Sequence, residues 1–229
     1  MVKQVRAAYT RQALIRAAAE VFADNGYARA SLPAISKRAG VSAGALHFHF
    51  PSKDLLASEV EQVATRAVTE MARQCRRSNG TELEALVAAT HHVVSAFATD
   101  PVTWAGFRLS GDPARPNETG LLDWWHTWVH DMLRQAKDAG ELADGVAPEG
   151  AAVAVVSATV GFEVLGGRDP RWLSGERMTE FWTFLLPRLA AAPQQARTQV
   201  PDHPMTVRQA PQRGGPADLV AARGTRLGA

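Results

Sequence analysis

The side chains that could perform catalysis or bind a metal are few in this chain. His126 and His130 stand four residues apart, a spacing that on a helix places two imidazoles on one face and can bind zinc. The neighbouring sequence supplies no third ligand and no HExxH motif, so we predict no metal site. Because Cys75 is the single cysteine, the chain has no intramolecular disulfide. The adjacent arginines could lower the pKa of its thiol, but we interpret it as an ordinary thiol. Without a Ser-His-Asp, P-loop or dinucleotide-binding signature, we predict no enzymatic activity and no cofactor.

A second set of residues is suited to contact with DNA. Residues 31–50 predict two short helices that flank a tight turn at Gly40. Ser42 can cap the second helix and Leu46 faces a core, which leaves the N-terminal end of that helix exposed for base edges. Gly44 costs about 1 kcal/mol of helix stability relative to alanine, but lets the backbone approach DNA closely. The residues that we predict at the DNA are Arg6, Thr10, Lys37 and Lys53 for phosphates, and Ser42, Ala43, Gly44, His47, Phe48 and His49 for the groove side.

The distribution of charge supports a DNA-binding head. The net charge of the chain is only +2, from 25 basic and 23 acidic residues. Residues 1–53 carry a net +6 and residues 193–229 a net +3, so residues 54–192 carry −7. Such asymmetry indicates a basic end that binds a polyanion and an acidic body with another role.

The acidic body holds all six tryptophans and predicts a ligand pocket. On a helix, Leu121, Trp125, Trp128 and Met132 share one face. An apolar cavity with indole walls suits a lipophilic ring or alkyl chain with one or two polar groups. The alternative is that these aromatic residues only form a core. The ligand-binding residues that we predict are Trp104, Phe107, Leu121, Trp125, Trp128, Met132 and Phe162.

Helical periodicity recurs along the chain, and strand patterns are scarce. We therefore predict an all-α fold, with an N-terminal three-helix helix-turn-helix domain at 1–53 and a larger helical ligand-binding and dimerisation domain at 54–192. Residues 193–229, rich in proline and arginine, predict a disordered tail. The first helix is predicted to end at Gly26. Beyond the helix-turn-helix, the predicted helices are 53–77, 82–98, 101–110, 119–139, 148–165 and 175–191.

The last two long helices carry more apolar residues than one helical bundle needs. An exposed apolar face of this kind predicts a homodimer, and the alternative is that the residues complete each subunit's core. The residues concerned are Val153, Val156, Val160, Val164, Phe181, Trp182, Phe184, Leu185 and Leu189.

No membrane segment or secretory signal is predicted. The longest apolar run, Ala151 to Phe162, contains Ser157 and Thr159 and falls short of the ~20 residues that span a bilayer. Arg11 and Arg16 interrupt the stretch where a signal peptide would have its apolar core. We therefore expect a cytoplasmic protein without a membrane partner.

About residues 8–56 resemble the TetR family of one-component transcriptional regulators. The resemblance implies a dimer that binds palindromic double-stranded operator DNA. One departure is His47, where the family usually has tyrosine, so this DNA contact becomes pH-dependent in our interpretation. The residues that carry the resemblance are Ser31, Ile35, Ala39, Gly40, Val41, Ser42, Gly44, His47, His49, Phe50, Lys53 and Leu56.

Within that family, the chain is similar to the γ-butyrolactone receptor group of actinobacterial regulators. The resemblance implies that Trp125 packs on a bound autoregulator, whereas Ala43 departs from the lysine common in that group. Pseudo-receptors of the group bind antibiotics or biosynthetic intermediates instead. The Leu-His-Phe-His-Phe run and the pI of about 9.0 resemble the pseudo-receptors more than the true receptors. The residues that carry the resemblance are Val5-Arg6-Ala7, Thr10-Arg11, the run from Gly44 to Phe50, Ala105-Gly106, Arg108-Leu109, Trp125, Gln135-Ala136-Lys137 and Gly140-Glu141-Leu142.

These patterns lead to one hypothesis and three alternatives. The hypothesis is a ligand-responsive repressor of the pseudo-receptor kind, released by a lipophilic or antibiotic-like molecule and controlling antibiotic production. The first alternative is a true γ-butyrolactone receptor. The second is an enzyme that uses the aromatic cavity, with His126 or Glu163 as base. The third is an architectural DNA-binding protein without a ligand.

Overall fold

The chain folds into helices throughout the part that the structure describes. The computed structural model describes residues 2–115 and 120–192; the predicted tail at 193–229 and the start of the predicted helix at 119 lie outside these residues. The predicted all-α class is confirmed. The helices are α1 (Val2–Arg29), α2 (Leu32–Ala39), α3 (Ala43–His49), α4 (Lys53–Ser78), α5 (Glu82–Thr99), α6 (Pro101–Ser110), α7 (Leu121–Asp138), α8 (Pro148–Gly166) and α9 (Gly175–Leu189), with a 3₁₀ helix at Pro170–Leu173 before α9.

Serine caps set the helix starts around the turn of the head. Ser31, Ser42 and Ser52 each accept a hydrogen bond from a backbone N–H three residues on, over 3.2–3.3 Å. Gly40 ends α2 in the left-handed conformation, with φ of 66°, which a residue with a side chain adopts at a cost. The predicted helix-turn-helix is therefore present, with α2 and α3 on either side of this glycine.

The predicted end of the first helical segment at Gly26 is confirmed. Gly26 has φ of 71° and ψ of 168°, which are not helical, so the range Val2–Arg29 comprises two helical segments separated by a kink at this glycine. Tyr27 anchors the short segment after the kink, because it is buried and its ring stacks on Phe22, with 6.1 Å between centroids. The backbone N–H of Ala30 then donates to the Gly26 carbonyl, which closes one further turn.

Two hydrophobic cores lie along the chain. The head core contains residues of α1, α2 and α3, and also Leu56 and Val60 of α4 and Ala105 and Leu109 of α6. The core of the body begins at Ala64 on α4 and takes in α5 to α9. The boundary that we predict between 53 and 54 lies at the start of α4, before the α4 residues that pack in the head core. Because α4 and α6 contribute to both cores, they join the two parts physically.

Gly106 sets the close approach of α6 to α4. A Cβ atom at this position would lie 2.3 Å from the Ala64 Cβ, a distance that packed atoms do not tolerate. We expect Gly106→Ala to lower the free energy of unfolding by about 1–3 kcal/mol, since overpacking forces the helices apart. Urea unfolding of the purified variant measures this. The matched control is Gly150→Ala in α8, where no atom lies within 4 Å; equal losses in both variants would contradict the steric explanation.

Two buried polar contacts hold the body together. The Trp182 indole N–H donates to the Thr90 hydroxyl over 2.7 Å, which joins α9 to α5. Glu141, which follows α7, accepts from the backbone N–H groups of Glu82 and Leu83. These two N–H groups belong to the first turn of α5 and have no partner within the helix, so Glu141 caps α5 from a distance.

Candidate DNA interface and effector-binding cluster

Helix α3 presents its N-terminal end to solvent. Leu46 and the following Phe50 are buried in the head core. Ser42, Ala43, Gly44 and His47 are exposed, as the helical period predicts. This is the orientation in which a recognition helix enters the major groove.

Phe48 is the most exposed large apolar side chain of the head, with 81% of its surface accessible. Its ring packs against His49 edge to face, with 5.2 Å between ring centroids, and His49 itself is half-buried. An exposed phenyl ring is costly in water, but it can contact a thymine methyl group in the major groove. Phe48 is therefore placed for apolar base contact.

Two of the predicted phosphate contacts lie on the surface of the head. Arg6 and Lys37 are exposed, and the Thr10 hydroxyl donates to the Arg6 carbonyl over 3.0 Å. Other basic residues are held in ion pairs, since Arg11 lies 2.7 Å from Glu59 and Arg38 2.9 Å from Glu20. The head's cations thus divide into those that support its own structure and those open to a polyanion.

Lys53 has a structural role that the sequence analysis did not predict. Its ammonium group donates to the carbonyls of Tyr27 and Ala30, over 3.0 and 3.2 Å. The same nitrogen lies 4.2 Å from the centroid of the Tyr27 ring, a cation–π distance. An ammonium group has three N–H donors, so these contacts leave one for a phosphate. The predicted phosphate contact of Lys53 stays a prediction, now combined with stabilisation of the end of α1.

Three indoles form a continuous stack on α7. The rings of Trp124 and Trp128 are 6.3 Å apart at 14°, and those of Trp128 and Trp125 are 5.2 Å apart at 19°. Trp125 is fully buried, and its N–H donates to the Thr159 hydroxyl over 3.3 Å. The stack therefore runs from the surface at Trp124 to the interior at Trp125.

Six of the seven predicted ligand-binding residues belong to the hydrophobic core cluster of the body, together with many other side chains. Trp104 and Trp128 are half-buried at its margin, and Phe107 packs edge to face on Trp125 with centroids 6.2 Å apart. Met132 is buried but does not belong to this cluster. The members are Trp104, Phe107, Leu121, Trp125, Trp128 and Phe162.

Two cavities lie beside this cluster, and Trp125 lines neither of them. The larger is an open groove of about 840 Å³ between α4 and the first turns of α7, which we call the α4–α7 groove. The smaller, of about 250 Å³, lies between α6 and α8 and is lined by Phe107, Arg108 and Glu163. Trp124, which is not among the residues predicted to bind the ligand, thus lines the larger space. The principal residues of the α4–α7 groove are Gln62, Thr65, Thr69, Asp123, Trp124 and Thr127.

A chain of polar contacts runs from α8 to the head. The Trp104 N–H donates to Glu163 over 2.8 Å, and the Arg108 Nε lies 3.8 Å from the same carboxylate oxygen. Burial raises the pKa of Glu163, and the Trp104 hydrogen bond and Arg108 charge oppose this. Arg108 also donates to the Ala23 carbonyl of α1. One guanidinium group therefore touches both the sensing body and the DNA-binding head.

The segment after α6 makes further contacts with the head. Asp112 accepts from the backbone N–H of Tyr27 over 3.1 Å. Arg115 forms a buried ion pair with Glu61 of α4. The Tyr27 hydroxyl donates to Asp54, and burial, followed by that carboxylate, raises the pKa of Tyr27 to about 12. Sequence patterns gave no indication of these contacts, because the partners are far apart along the chain.

The predicted dimerisation residues divide into a core set and an exposed set. Trp182 and Leu189 are buried, so their assignment to the dimer face is wrong and they complete the core of the body. Val153, Val164 and Phe184 are exposed, and 63% of the Phe184 surface is accessible. The remaining four are half-buried: Val156, Val160, Phe181 and Leu185.

Helix α8 is long and apolar enough by composition to cross a membrane, with a mean hydropathy of 1.4. This differs from the sequence expectation, which rested on Ser157 and Thr159 interrupting the run. In the structure one side of α8 packs on α7 and α5, with Ala152 and Val155 buried, while Val153 lies on the exposed side. The high mean hydropathy of α8 arises because the helix has apolar side chains both on the side that packs in the core and on its exposed side.

The histidines of α7 and the cysteine of α4 lie in different surroundings. Residues 2–115 and 120–192 contain no group of three or more His, Cys, Asp or Glu side chains that could hold a metal ion. His126 is exposed, and His130 Nε2 lies 3.7 Å from Glu149. Burial raises the pKa of Cys75 to about 11, which opposes thiolate formation and agrees with an ordinary thiol.

Comparison with known proteins identifies the family of this chain. Residues 14–60 match the model of bacterial regulatory proteins of the tetR family. The A-factor receptor protein of Streptomyces griseus is 32% identical over 195 residues, which cover 83% of this chain and 67% of that protein.

Solved structures agree with this placement. A γ-butyrolactone receptor (ArpA-like protein) superposes with a TM-score of 0.73 and 29% identity, over 84% of this chain and 94% of the other. CprB of Streptomyces coelicolor, in complex with its operator, superposes with a TM-score of 0.72 and 30% identity, over the same shares of 84% and 94%. The chain therefore belongs to the TetR family of bacterial regulatory proteins and is a γ-butyrolactone receptor-like regulator.

Proposed function

We propose that this protein is a ligand-responsive transcriptional repressor that binds palindromic operator DNA as a homodimer. The observation that carries the proposal is the exposed N-terminal end of α3, held in place by serine caps and the Gly40 turn. The head bears the net +6 charge of residues 1–53, which provides the sequence-independent attraction to phosphates. The relative CprB was solved with its operator, which supports the same use of this fold.

The DNA contacts follow from the exposure of each side chain. Phosphates are bound by Arg6, Thr10, Lys37 and the remaining Lys53 donor. The groove is contacted by Ser42, Ala43, Gly44, His47, Phe48 and His49.

The dimer forms through the exposed apolar face of α8 and α9. Val153, Val164 and Phe184 on this face would remain in water in a monomer, at a cost proportional to their apolar area. A two-fold axis through the face presents two copies of α3 to successive major grooves, about 34 Å or a multiple of it apart.

We place the protein in the cytoplasm, because a repressor must reach the chromosome to bind its operator.

The effector is a lipophilic small molecule that binds at the aromatic cluster around Trp125. The relatives include an A-factor receptor and a γ-butyrolactone receptor, which supports a signal of this general class. We place this chain with the pseudo-receptors, whose signals are antibiotics or their intermediates, so that it controls antibiotic production. Because Trp125 is fully buried, the ligand must displace packed side chains, Phe107 among them, to reach it.

Arg108 and Asp112 transmit the binding event to the head. Arg108 contacts Glu163 in the body and the Ala23 carbonyl in α1, and Asp112 accepts from the Tyr27 N–H. A ligand that moves α6 or α8 thereby shifts α1 and α4, and with them the spacing of the two recognition helices. Such coupling amounts to about 1–3 kcal/mol per site, set by the ligand's differential affinity for the two states.

No catalytic activity is part of the proposal. The enzyme alternative would use His126 or Glu163 as its base. His126 is exposed, whereas Glu163 is buried and accepts a hydrogen bond from Trp104. The Glu163 carboxylate is better explained as a contact between α8 and α6.

Release from operator DNA distinguishes the effector classes. Fluorescence anisotropy of a labelled operator is measured with the full chain, with and without an A-factor-type γ-butyrolactone and with an extract of a producing culture. We expect release by the extract and none by the γ-butyrolactone. Release by the γ-butyrolactone at submicromolar concentration would favour the true receptor. No release by either would favour the architectural protein without a ligand.

A further inference from the structure

The α4–α7 groove has the size of a small-molecule site but no assigned ligand. Its volume of about 840 Å³ falls in the range of about 300–1,000 Å³ that is typical of such sites. One wall is α4, which carries the DNA-binding head, and the other is the start of α7. The groove thus lies between the start of α7 and α4, a helix that contributes to both the head core and the body core.

Trp124 provides the aromatic surface of the groove. It is half-buried, and its ring stacks on Trp128, which in turn stacks on Trp125. This stack fixes the indole of Trp124 in one orientation before any ligand arrives. A pre-organised indole favours a flat aromatic ligand, which packs by offset stacking at little entropic cost.

Four of the five charged side chains that line the groove form ion pairs within the chain, and the fifth, Asp123, caps α7. Glu61 pairs with Arg115, and Glu70 lies within ion-pair distance of Arg73 and of Arg77. Arg66 lies 3.5 Å from Glu59, and the Asp123 carboxylate accepts from the Gly120 N–H. A charged ligand would compete with one of these ion pairs or with the cap, so the groove favours a neutral molecule.

Neutral hydrogen-bonding groups line the same space. The hydroxyls of Thr65 and Thr127 donate to carbonyls one turn back, over 2.8 and 2.9 Å, so each oxygen retains its lone pairs as an acceptor. Gln62 and Thr69 add an amide and a third hydroxyl. Acceptors of this kind match ligand hydroxyl groups, which donate.

We infer that the α4–α7 groove binds a neutral, planar aromatic molecule that carries hydroxyl groups, with its ring on Trp124 and its hydroxyls on Thr65 and Thr127. The site is separate from the buried cluster at Trp125. Because the ligand bridges α4 and α7, its binding fixes their separation and thereby changes operator affinity. Only this last step rests on the proposed repressor function.

Isothermal titration calorimetry with daidzin, an uncharged isoflavone glucoside, tests the site. The full chain is titrated without DNA, so that the result does not depend on operator binding. We expect micromolar binding to the wild type, and at least about tenfold weaker binding to Trp124→Ala, since this variant removes the aromatic surface on which the ring stacks. Methyl β-glucoside, which has the hydroxyls but no aromatic ring, is expected not to bind.

Two further variants distinguish binding in the groove from binding elsewhere on the protein and from loss of the fold. Trp172→Ala removes a partly exposed indole on the 3₁₀ helix, outside the groove, and should bind daidzin as the wild type does. Thr69→Trp adds a bulky side chain to the α4 wall of the groove while Trp124 itself is retained. This variant should abolish binding, which keeps the test decisive if Trp124→Ala unfolds. Wild-type binding weaker than millimolar, or equal binding by Trp124→Ala or Thr69→Trp, would overturn the site. An operator affinity unchanged by bound daidzin would overturn its regulatory step.

Discussion

Replacement of Ala43 by glutamate is expected to weaken DNA binding at least about 100-fold, or about 2.7 kcal/mol, without destabilising the head. Ala43 is the first residue of α3 and is exposed. A carboxylate in the first helical turn interacts favourably with the helix dipole, so the fold should be unchanged or slightly more stable. On DNA, the same carboxylate would face phosphates and base acceptors and repel them. Fluorescence anisotropy at fixed salt and thermal unfolding measure the two effects separately.

The matched control for this change is Ala67→Glu. Ala67 is an exposed residue in the middle of α4, so the variant alters net charge equally without approaching the recognition helix. We expect its operator affinity to stay within about threefold of the wild type, as long-range charge effects are screened by salt. Comparable losses in both variants, or an Ala43→Glu protein that binds normally, would show that α3 does not contact the DNA as proposed.

Removal of the Glu61 carboxylate is expected to destabilise the protein by about 3–5 kcal/mol. The Glu61 and Arg115 side chains are only 12% and 11% exposed, so Glu61→Ala would leave an uncompensated buried charge. The Arg115 Nε already lacks a hydrogen-bond partner among the described residues, and Glu61 also accepts from the Leu121 N–H over 3.1 Å. Urea unfolding measures the loss, and operator binding should weaken as the head loses its contact with the segment after α6.

The double variant Glu61→Met, Arg115→Met is the control for this prediction. Replacing both partners by apolar side chains of similar length removes the unpaired charge, so most of the stability should return. A single Glu61→Ala variant that loses less than about 1 kcal/mol would mean that water reaches Arg115, and the pair would then have no role in joining α4 to the body.

Local sequence signals were sufficient for most helix boundaries. The serine caps and Gly40 act through atoms within three or four residues, so their positions could be read directly. Gly26 is a further local signal, since the first helical segment breaks there as predicted. The short helical segment after it was not predicted, because Tyr27 is held by contacts with Phe22 and Asp112 elsewhere in the fold. Pattern reasoning also missed the 3₁₀ helix at Pro170–Leu173, which is too short to show a hydrophobic period.

The candidate sites also have features that follow from the local sequence and features that depend on distant parts of the chain. Helical period predicted which side of α3 is exposed and that Trp125 and Trp128 lie on one side of α7, where their rings stack. It could not assign Trp124 to a groove, because the other wall is α4, about 60 residues earlier in the chain. The contact of Arg108 with Ala23 spans 85 residues, and no local pattern records such a pair.

The dimer face shows the limit of counting apolar residues. The sequence indicated an excess on α8 and α9 but could not divide it between core and surface. Trp182 is buried because its N–H meets Thr90 of α5, whereas Phe184, two residues on, points to the opposite side. The division depends on where neighbouring helices lie.

A footprint on the DNA upstream of the protein's own gene tests the repressor proposal most directly. At moderate salt the full chain should protect a palindrome whose half-sites lie about one helical turn, ~34 Å, or a multiple of it apart. Ala43→Glu should give no protection at the same concentration, and Ala67→Glu should give the wild-type pattern. Absence of palindromic protection by the wild-type chain would contradict operator binding as a dimer.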